Sequence, residues 1–172
     1  MKKNQINALV GGAMIAALYA AATYASAVLG IAYGQIQFRF SEALTVLSVF
    51  TPAAIPGLTV GCILGNLSSP YGIWDITFGS LATLLAAVTA RKARKITVKG
   101  LPIFSIIMPV IFNALIVGAE ITLLMPAGEG SLSVFLIAAA EVAAGELVVC
   151  LVGGIPLFYA LKKARLFDVR LK

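Results

Sequence analysis

Long apolar stretches alternate with short polar segments along the chain, and their lengths predict membrane-crossing helices. A helix needs about 20 mostly apolar residues to cross the hydrocarbon core of a bilayer. Residues 6–31, 101–125 and 132–161 meet that requirement, and residues 76–90 form a shorter stretch that ends in a basic cluster. The pattern therefore predicts an all-α integral membrane protein.

Residues 38–67 are also apolar after Arg39 and Glu42, which lie near the start of this stretch. Two prolines and a glycine interrupt this stretch between Thr51 and Gly57, and these residue types break helices. The stretch is predicted to form either two short tilted spans or a re-entrant helical pair.

The basic residues predict the topology. Twelve of the 13 Lys and Arg residues fall within three clusters, at residues 2–3, 91–99 and 162–172. Cytoplasmic loops of membrane proteins are enriched in Lys and Arg. An odd number of crossings between clusters would put one cluster outside, whereas six crossings place all three on the same side. We therefore expect a six-transmembrane-helix bundle with both termini in the cytoplasm, formed by one domain over residues 1–172.

Composition agrees with this fold class and excludes several functions. The chain is 60% hydrophobic and only 12% charged, whereas soluble domains carry about 25% charged residues. The formal net charge of +6 does not indicate nucleic-acid binding, because the basic residues flank apolar spans and no nucleic-acid motif accompanies them.

Catalytic and metal-binding signals are also missing from the sequence. There is no His, and both cysteines lie in apolar segments, so we expect neither a metal site nor a disulfide. No nucleophile elbow or phosphate-binding loop is present. We expect a protein that is not an enzyme and has no cofactor, and any ATP used for transport would be hydrolysed by a partner.

The first apolar stretch carries a row of small residues. Ala13, Ala17 and Ala21 recur at every fourth position, and Gly12 and Ala16 begin a second row beside them. Such small-xxx-small faces let helix backbones approach closely in lipid. The row either packs inside this bundle or forms a docking face for another membrane subunit, and its length favours the second interpretation.

Ionisable residues within the apolar stretches are the strongest indication of a functional site. Insertion of each costs about 2.5–3.5 kcal/mol, and such residues usually face a cavity or a partner. They are Arg39, Glu42, Asp75, Glu120, Glu141 and Glu146.

Several of these residues also have simple structural interpretations. Arg39 and Glu42 are three residues apart and could pair on one helix face. Asp75 could cap the helix that it begins. Arg39 alone cannot neutralise the acids, however. Some acids must therefore be protonated, hydrogen-bonded to neighbouring helices, or matched by a cationic, donor-rich ligand.

Spacing brings one pair of polar residues together. Asn113 and Glu120 are seven residues apart and share a helix face, whereas Glu141 and Glu146 are separated by about 140° around the helix axis. Hydrogen bonding between helices is the alternative role for each of these acids.

Three segments resemble the QueT family. They are Gln37-Phe-Arg-Phe-Ser-Glu-Ala43, Pro56-Gly-Leu-Thr-Val-Gly-Cys-Ile-Leu-Gly-Asn66 and Asp75-Ile-Thr-Phe-Gly-Ser-Leu-Ala-Thr83. Members of this family are substrate-binding S components of energy-coupling-factor (ECF) transporters for queuosine precursors. The row of alanines is similar to the A-x-x-x-A face with which S components dock onto a shared transmembrane coupling subunit.

The resemblance implies a multi-pass protein of the bacterial plasma membrane that captures its ligand from outside. It also implies a complex with the coupling subunit and two cytoplasmic ATPase subunits. The implied ligand is a 7-deazaguanine such as preQ1, preQ0 or queuine. A carboxylate can accept two hydrogen bonds from its guanine-like edge, a second acid suits the cation of the aminomethyl form, and an aromatic side chain can stack on the ring.

The expected substrate-binding residues follow from this resemblance and from the buried charges. Glu141 and Glu120 come first, and Glu146 lies deeper in its span. The others are Asn113, Asp75, Asn66, Arg39, Glu42, Trp74, Tyr71, Tyr33 and Phe38. Ala13, Ala17 and Ala21 are the expected partner-binding residues. Three alternatives are an S component for another vitamin-like molecule, a small proton-coupled carrier, and a structural membrane subunit.

Overall fold

The computed structural model describes residues 3–34 and 36–164, with side chains from residue 5 onward. Apart from one isolated bridge between Val98 and Leu101, the regular structure of these residues is helical. The elements are α1 (Lys3–Val28), a 3₁₀ helix (Phe40–Val46), α2 (Leu47–Phe50), α3 (Ala54–Asn66), α4 (Ile73–Ala93), α5 (Ile103–Leu123), α6 (Leu132–Val149), a π-helical turn (Cys150–Gly154) and α7 (Ile155–Ala164). The expected all-α class is confirmed for the described residues.

Four helical segments are long and apolar enough to cross a membrane: Gln5–Val28, Ile73–Ala93, Ile103–Leu123 and Leu132–Ala164. Helix α4 extends three residues beyond each end of the predicted stretch 76–90. Its extra turns carry an acid near the N-terminus and two bases near the C-terminus, where the helix dipole favours those charges. Residues 1–2 and 165–172, which contribute to the predicted topology, lie outside the described residues.

The stretch between α1 and α4 forms a helical hairpin, Phe40–Phe50 followed by Ala54–Asn66. Each arm is about 20 Å long, shorter than the roughly 30 Å hydrocarbon core. The guanidinium of Arg91 donates hydrogen bonds to the carbonyls of Ser48 and Val49, at 3.0 and 3.3 Å. The turn of the hairpin therefore lies beside the last turn of α4.

Helix α3 packs closely along α1 through glycines at every fourth position. A Cβ atom at Gly61 would lie 2.6 Å from Cβ of Tyr19 and 2.8 Å from the carbonyl oxygen of Ala16. A Cβ atom at Gly65 would lie 2.9 Å from Cβ of Thr23. The two backbones can approach this closely only because these positions lack side chains.

The small residues of α1 fall on two different surfaces. Ala16 and Ala20, with 6% and 9% of their surfaces exposed, belong to the buried side of the helix. Ala13, Ala17 and Ala21 are exposed. One row therefore packs inside the bundle, and the other is left on its surface.

The last long helix is irregular where it meets the hairpin. Pro156 has no N–H to donate to the carbonyl four residues earlier, and a π-helical turn precedes it at Cys150–Gly154. A Cβ atom at Gly153 would lie 2.8 Å from Cβ of Ala43. This close approach holds the 3₁₀ helix against the wall of the bundle that also carries Glu146.

Candidate functional site

A cluster of buried polar side chains occupies the interior of the bundle. Its ionisable members come from the 3₁₀ helix and the residue before it, from α4, from α5 and from α6. Arg39, Glu42, Asp75, Glu120 and Glu146 each have 2% or less of their surface exposed. Among the described side chains, Arg39 is the one buried base against four buried acids. The cluster therefore has an excess of negative charge or of acid protons.

Arg39 pairs across the bundle with Asp75, with 3.6 Å between Nη2 and Oδ2. Its Nε donates to the carbonyl of Ala32 at 3.1 Å, and its guanidinium lies 5.4 Å from the centre of the Tyr33 ring. Arg39 has an extended backbone and precedes the 3₁₀ helix, so it does not share a helix face with Glu42. The observed ion pair therefore replaces the local pair that spacing allowed.

Asp75 does not cap α4. The cap position is Gly72, which makes no side-chain capping bond, and Asp75 is the third residue of the helix. Its carboxylate accepts a hydrogen bond from the Ser69 hydroxyl in addition to the contact with Arg39. Its backbone carbonyl accepts from Nδ2 of Asn66 at 2.8 Å, which ties the end of α3 to the start of α4.

A deeper layer of the cluster surrounds Glu42. Its carboxylate accepts hydrogen bonds from Tyr19 and, at 3.2 Å, from Thr45. The Asn113 side chain lies beside both Glu42 and Glu146. Neither polar atom of the Asn113 side chain has a hydrogen-bond partner among the described residues, and nor does Oε2 of Glu146. This layer is therefore only partly satisfied by the protein.

Glu120 is the least satisfied acid of the cluster. Its side chain has 1% of its surface exposed and lies next to Asp75. Neither of its carboxylate oxygens has a hydrogen-bond partner in the described part of the chain. Buried polar groups are almost always hydrogen-bonded, and an unpaired buried carboxylate is strongly unfavourable. Within the described residues, Glu120 therefore has the Asp75 carboxyl beside it and keeps hydrogen-bonding capacity that a donor from outside the protein could use.

Two adjoining cavities open beside Glu120. The inner cavity, of about 120 Å³, is lined by Gln37, Tyr71, Asp75, Glu120, Ile121, Leu124 and Met125. The outer cavity, of about 440 Å³, shares Gln37, Tyr71, Ile121 and Met125 and adds Tyr33, Gly34, Val134, Ile137, Ala138 and Glu141. Neither has a Lys or Arg among its described lining residues. Apolar walls with a few polar groups are typical of small-molecule sites.

Tyr33 holds one edge of the outer cavity. Its hydroxyl donates to the carbonyl of Gly65 at 2.9 Å. Partial burial raises the pKa of the Tyr33 phenol above its ordinary value, so this hydroxyl keeps its proton as a donor. The bond joins the segment after α1 to the end of α3.

The structure separates the expected substrate-binding residues into groups. Asp75, Glu120, Glu141, Tyr33 and Tyr71 line the two cavities. Glu42, Asn113 and Glu146 form the deeper layer, and Arg39 and Asn66 hold Asp75 in place.

Two aromatic candidates lie elsewhere. Trp74 packs against Phe78, with 5.8 Å between ring centres, and is not among the lining residues of either cavity. Phe38 lines a separate apolar groove with Val148 and Val152.

Sequence reasoning missed Tyr19 and implicated Gln37 only as part of the region 33–38. Gln37 lines both cavities, and a Cβ atom at Gly145 would lie 2.1 Å from its carbonyl oxygen, so this glycine lets the segment before the 3₁₀ helix lie directly on α6. Tyr19 holds Glu42. Its position as a hydrogen-bonding side chain within the alanine-rich face of α1 was the available signal.

Comparison with known proteins relates this chain to a family. A profile described as "QueT transporter" matches residues 9–163. The Queuosine precursor transporter QueT of Lactococcus lactis subsp. cremoris is 38% identical over 85 residues, which cover 49% of this chain and 50% of the relative. The chain thus matches about half the length of that relative. No solved structure matches significantly.

The family profile covers most of the chain, and it describes transporters. The expectation that the protein is not an enzyme is therefore confirmed. The helices that can span a membrane agree with a membrane transporter. The protein belongs to the QueT transporter family.

Proposed function

We propose that the protein is the substrate-capture subunit of an ATP-driven ECF importer and that it binds a queuosine precursor of the 7-deazaguanine class. The observation that carries this proposal is the Glu120 carboxylate, which is buried, receives no hydrogen bond from a donor among the described residues and lies at the wall of a cavity without a described basic residue. The match to a relative named for queuosine precursors supports the ligand class.

The two cavities offer the groups that such a ligand needs. Glu120 and Glu141 are carboxylates on α5 and α6 that can accept hydrogen bonds from its two polar ends. Tyr71 borders both cavities and can stack on a flat ring. Glu42, Asn113 and Glu146 line neither cavity and form a separate buried polar layer of the bundle.

The proposed topology has six crossings, with the hairpin Phe40–Asn66 contributing two short ones. The cavities then open on the outer face of a bacterial plasma membrane. The basic residues 91–99 lie on the cytoplasmic side with both termini. Labelling single cysteines introduced at Glu129 and Lys95 with a membrane-impermeant reagent in whole cells tests this orientation, since the reagent should reach the first position alone.

Transport driven by ATP requires partners, because this chain has no phosphate-binding loop. We propose a complex with the transmembrane coupling subunit and two cytoplasmic ATPases. The exposed row of Ala13, Ala17 and Ala21 supports a docking face on α1, since the parallel row already packs against α3.

Binding by purified protein tests the proposed function. Isothermal titration with 7-deazaguanines should give saturable binding, and thiamine, riboflavin and biotin should give none. Glu141→Gln should weaken binding of each 7-deazaguanine, and Glu120→Gln should weaken binding of the aminomethyl form, whereas Glu129→Gln, on an exposed turn, should bind like the wild type. Binding of a vitamin in place of a 7-deazaguanine would contradict the ligand class.

The deeper layer favours one second candidate, a proton-coupled carrier. Glu42 and Glu146 lie close together, and the ion pair of the nearby Arg39 is with Asp75 rather than with either of them, an arrangement that suits a proton relay. Such a carrier would import ligand into liposomes in response to a pH gradient and without ATPases. The ECF proposal predicts no uptake in that assay.

A further inference from the structure

We infer that the inner cavity holds a positively charged group of the ligand, so that the site prefers precursors carrying an amine over neutral members of the same class. This inference rests on the proposed function and adds an assignment to it. The ammonium group lies at Glu120 and Asp75, and the ring occupies the outer cavity with its guanine-like edge toward Glu141.

The charge balance of the buried cluster is the first support for a cationic ligand group. The described residues include four buried acids and one buried base. That base already has partners within the protein. Arg39 contacts Asp75 and donates to the carbonyl of Ala32. No further described base is available inside the bundle to balance Glu120.

The hydrogen-bond partners of the buried acids are the second support, because they single out Glu120. Glu42 is satisfied by Tyr19 and Thr45, and Asp75 by Ser69 and Arg39. Neither oxygen of Glu120 receives a hydrogen bond from an N–H or hydroxyl donor of the described residues, and its carboxyl group instead contacts that of Asp75. A second carboxyl group in contact with the first makes an additional positive charge favourable, because a cation offsets the repulsion between the two acids. An ammonium group also supplies three N–H donors, enough to serve both acids.

The sizes of the two cavities are the third support, because they suit different parts of the ligand. The inner cavity, at about 120 Å³, suits a short substituent, whereas the outer cavity, at about 440 Å³, suits a two-ring heterocycle. Tyr71 and Gln37 border both. A ring in the outer cavity would stack on Tyr71 and extend its 7-substituent inward to Glu120.

The preference can be measured with two ligands of similar size. We expect 7-aminomethyl-7-deazaguanine to bind the purified protein at least about tenfold more tightly than 7-cyano-7-deazaguanine, since charge-assisted hydrogen bonds are roughly twice as strong as neutral ones. Glu120→Gln should remove most of this preference by weakening binding of the amine, and should leave the affinity for the nitrile within about twofold. Glu129→Gln should keep the wild-type preference.

The outcomes separate the two proposals. If both compounds bind the wild type equally, the charge preference is wrong and the proposed function stands. If neither binds, the proposed function itself fails. If Glu120→Gln weakens both compounds equally while its melting temperature is unchanged, the ring edge lies at Glu120 and the assignment is wrong. Should that variant not fold, the wild-type comparison still decides the preference.

Discussion

Arg39 and Asp75 form an ion pair across the bundle, with 3.6 Å between the nearest charged atoms and only 2% and 3% of the two side chains exposed. One partner precedes the 3₁₀ helix, and the other lies in the first turn of α4. The pair therefore joins the hairpin to the neighbouring long helix and places one wall of the inner cavity.

Removing the base of this pair should destabilise the protein strongly. Arg39→Gln leaves Asp75 buried without its counter-charge, and loss of one partner of a buried pair typically costs about 3–5 kcal/mol. We expect a clear drop in the melting temperature of the protein in detergent.

The matched experiment adds a second change to the first. Because Asp75→Asn removes the stranded charge, the double variant should be more stable than Arg39→Gln alone. A double variant whose losses simply add would show that the two side chains do not interact.

Close packing of α1 on α3 should be sensitive to a single methyl group. Gly61→Ala places Cβ 2.6 Å from Tyr19 and 2.8 Å from the carbonyl of Ala16, so we expect a loss of about 1–3 kcal/mol in stability. Gly11→Ala is the control, because nothing lies within 4 Å of its Cβ and alanine favours helix more than glycine does. Thermal unfolding should therefore shift in opposite directions for the two variants.

The exposed alanines should matter for assembly rather than for ligand binding. Ala17→Leu adds bulk to the surface row of α1, and we expect loss of co-purification with the coupling subunit while the affinity for ligand stays within about twofold of the wild type. Leu18→Ala, at an exposed neighbouring position, serves as the control. If Ala17→Leu still co-purified with the coupling subunit, the docking face would not lie on this row of α1.

Substitutions of the two aromatic candidates should affect ligand affinity differently. Tyr71 and Trp74 are similarly exposed, at 47% and 44%, but only Tyr71 lines the cavities. Stacking of a base on an aromatic ring contributes about 1–3 kcal/mol, so Tyr71→Ala should weaken ligand binding about tenfold or more. Trp74→Ala should bind like the wild type. If Trp74→Ala weakened binding and Tyr71→Ala did not, the ring of the ligand would lie against Trp74 on α4.

Much of the fold was readable from local patterns. The apolar stretches predicted the four long helices, because the length required to cross a bilayer is set by the bilayer itself. The predicted C-terminal end was less accurate at α4, where Arg91 and Lys92, which suit the helix dipole, were placed beyond the helix. Of the three predicted helix breakers, Pro52 lies in the break between α2 and α3, whereas Pro56 and Gly57 lie in the first turn of α3, where a missing backbone N–H is tolerated.

Partners within the polar cluster could not be read in the same way. Spacing allowed Arg39 to pair with Glu42, yet it pairs with Asp75, 36 positions along the chain, and Glu42 is held by Tyr19 from α1. Such pairings depend on which helices become neighbours and at what depth, and neither is encoded in local periodicity.

The sequence by itself determined a membrane-embedded helical protein with more buried acids than buried bases, since hydropathy and charge are properties of each residue. Only the tertiary structure decided which acid remains without a partner. Packing brings Arg39 to Asp75 and leaves Glu120 at the cavity wall, because these contacts depend on which helices become neighbours. Glycines of α3 and α6 allow α1 and the segment of Gln37 to approach closely.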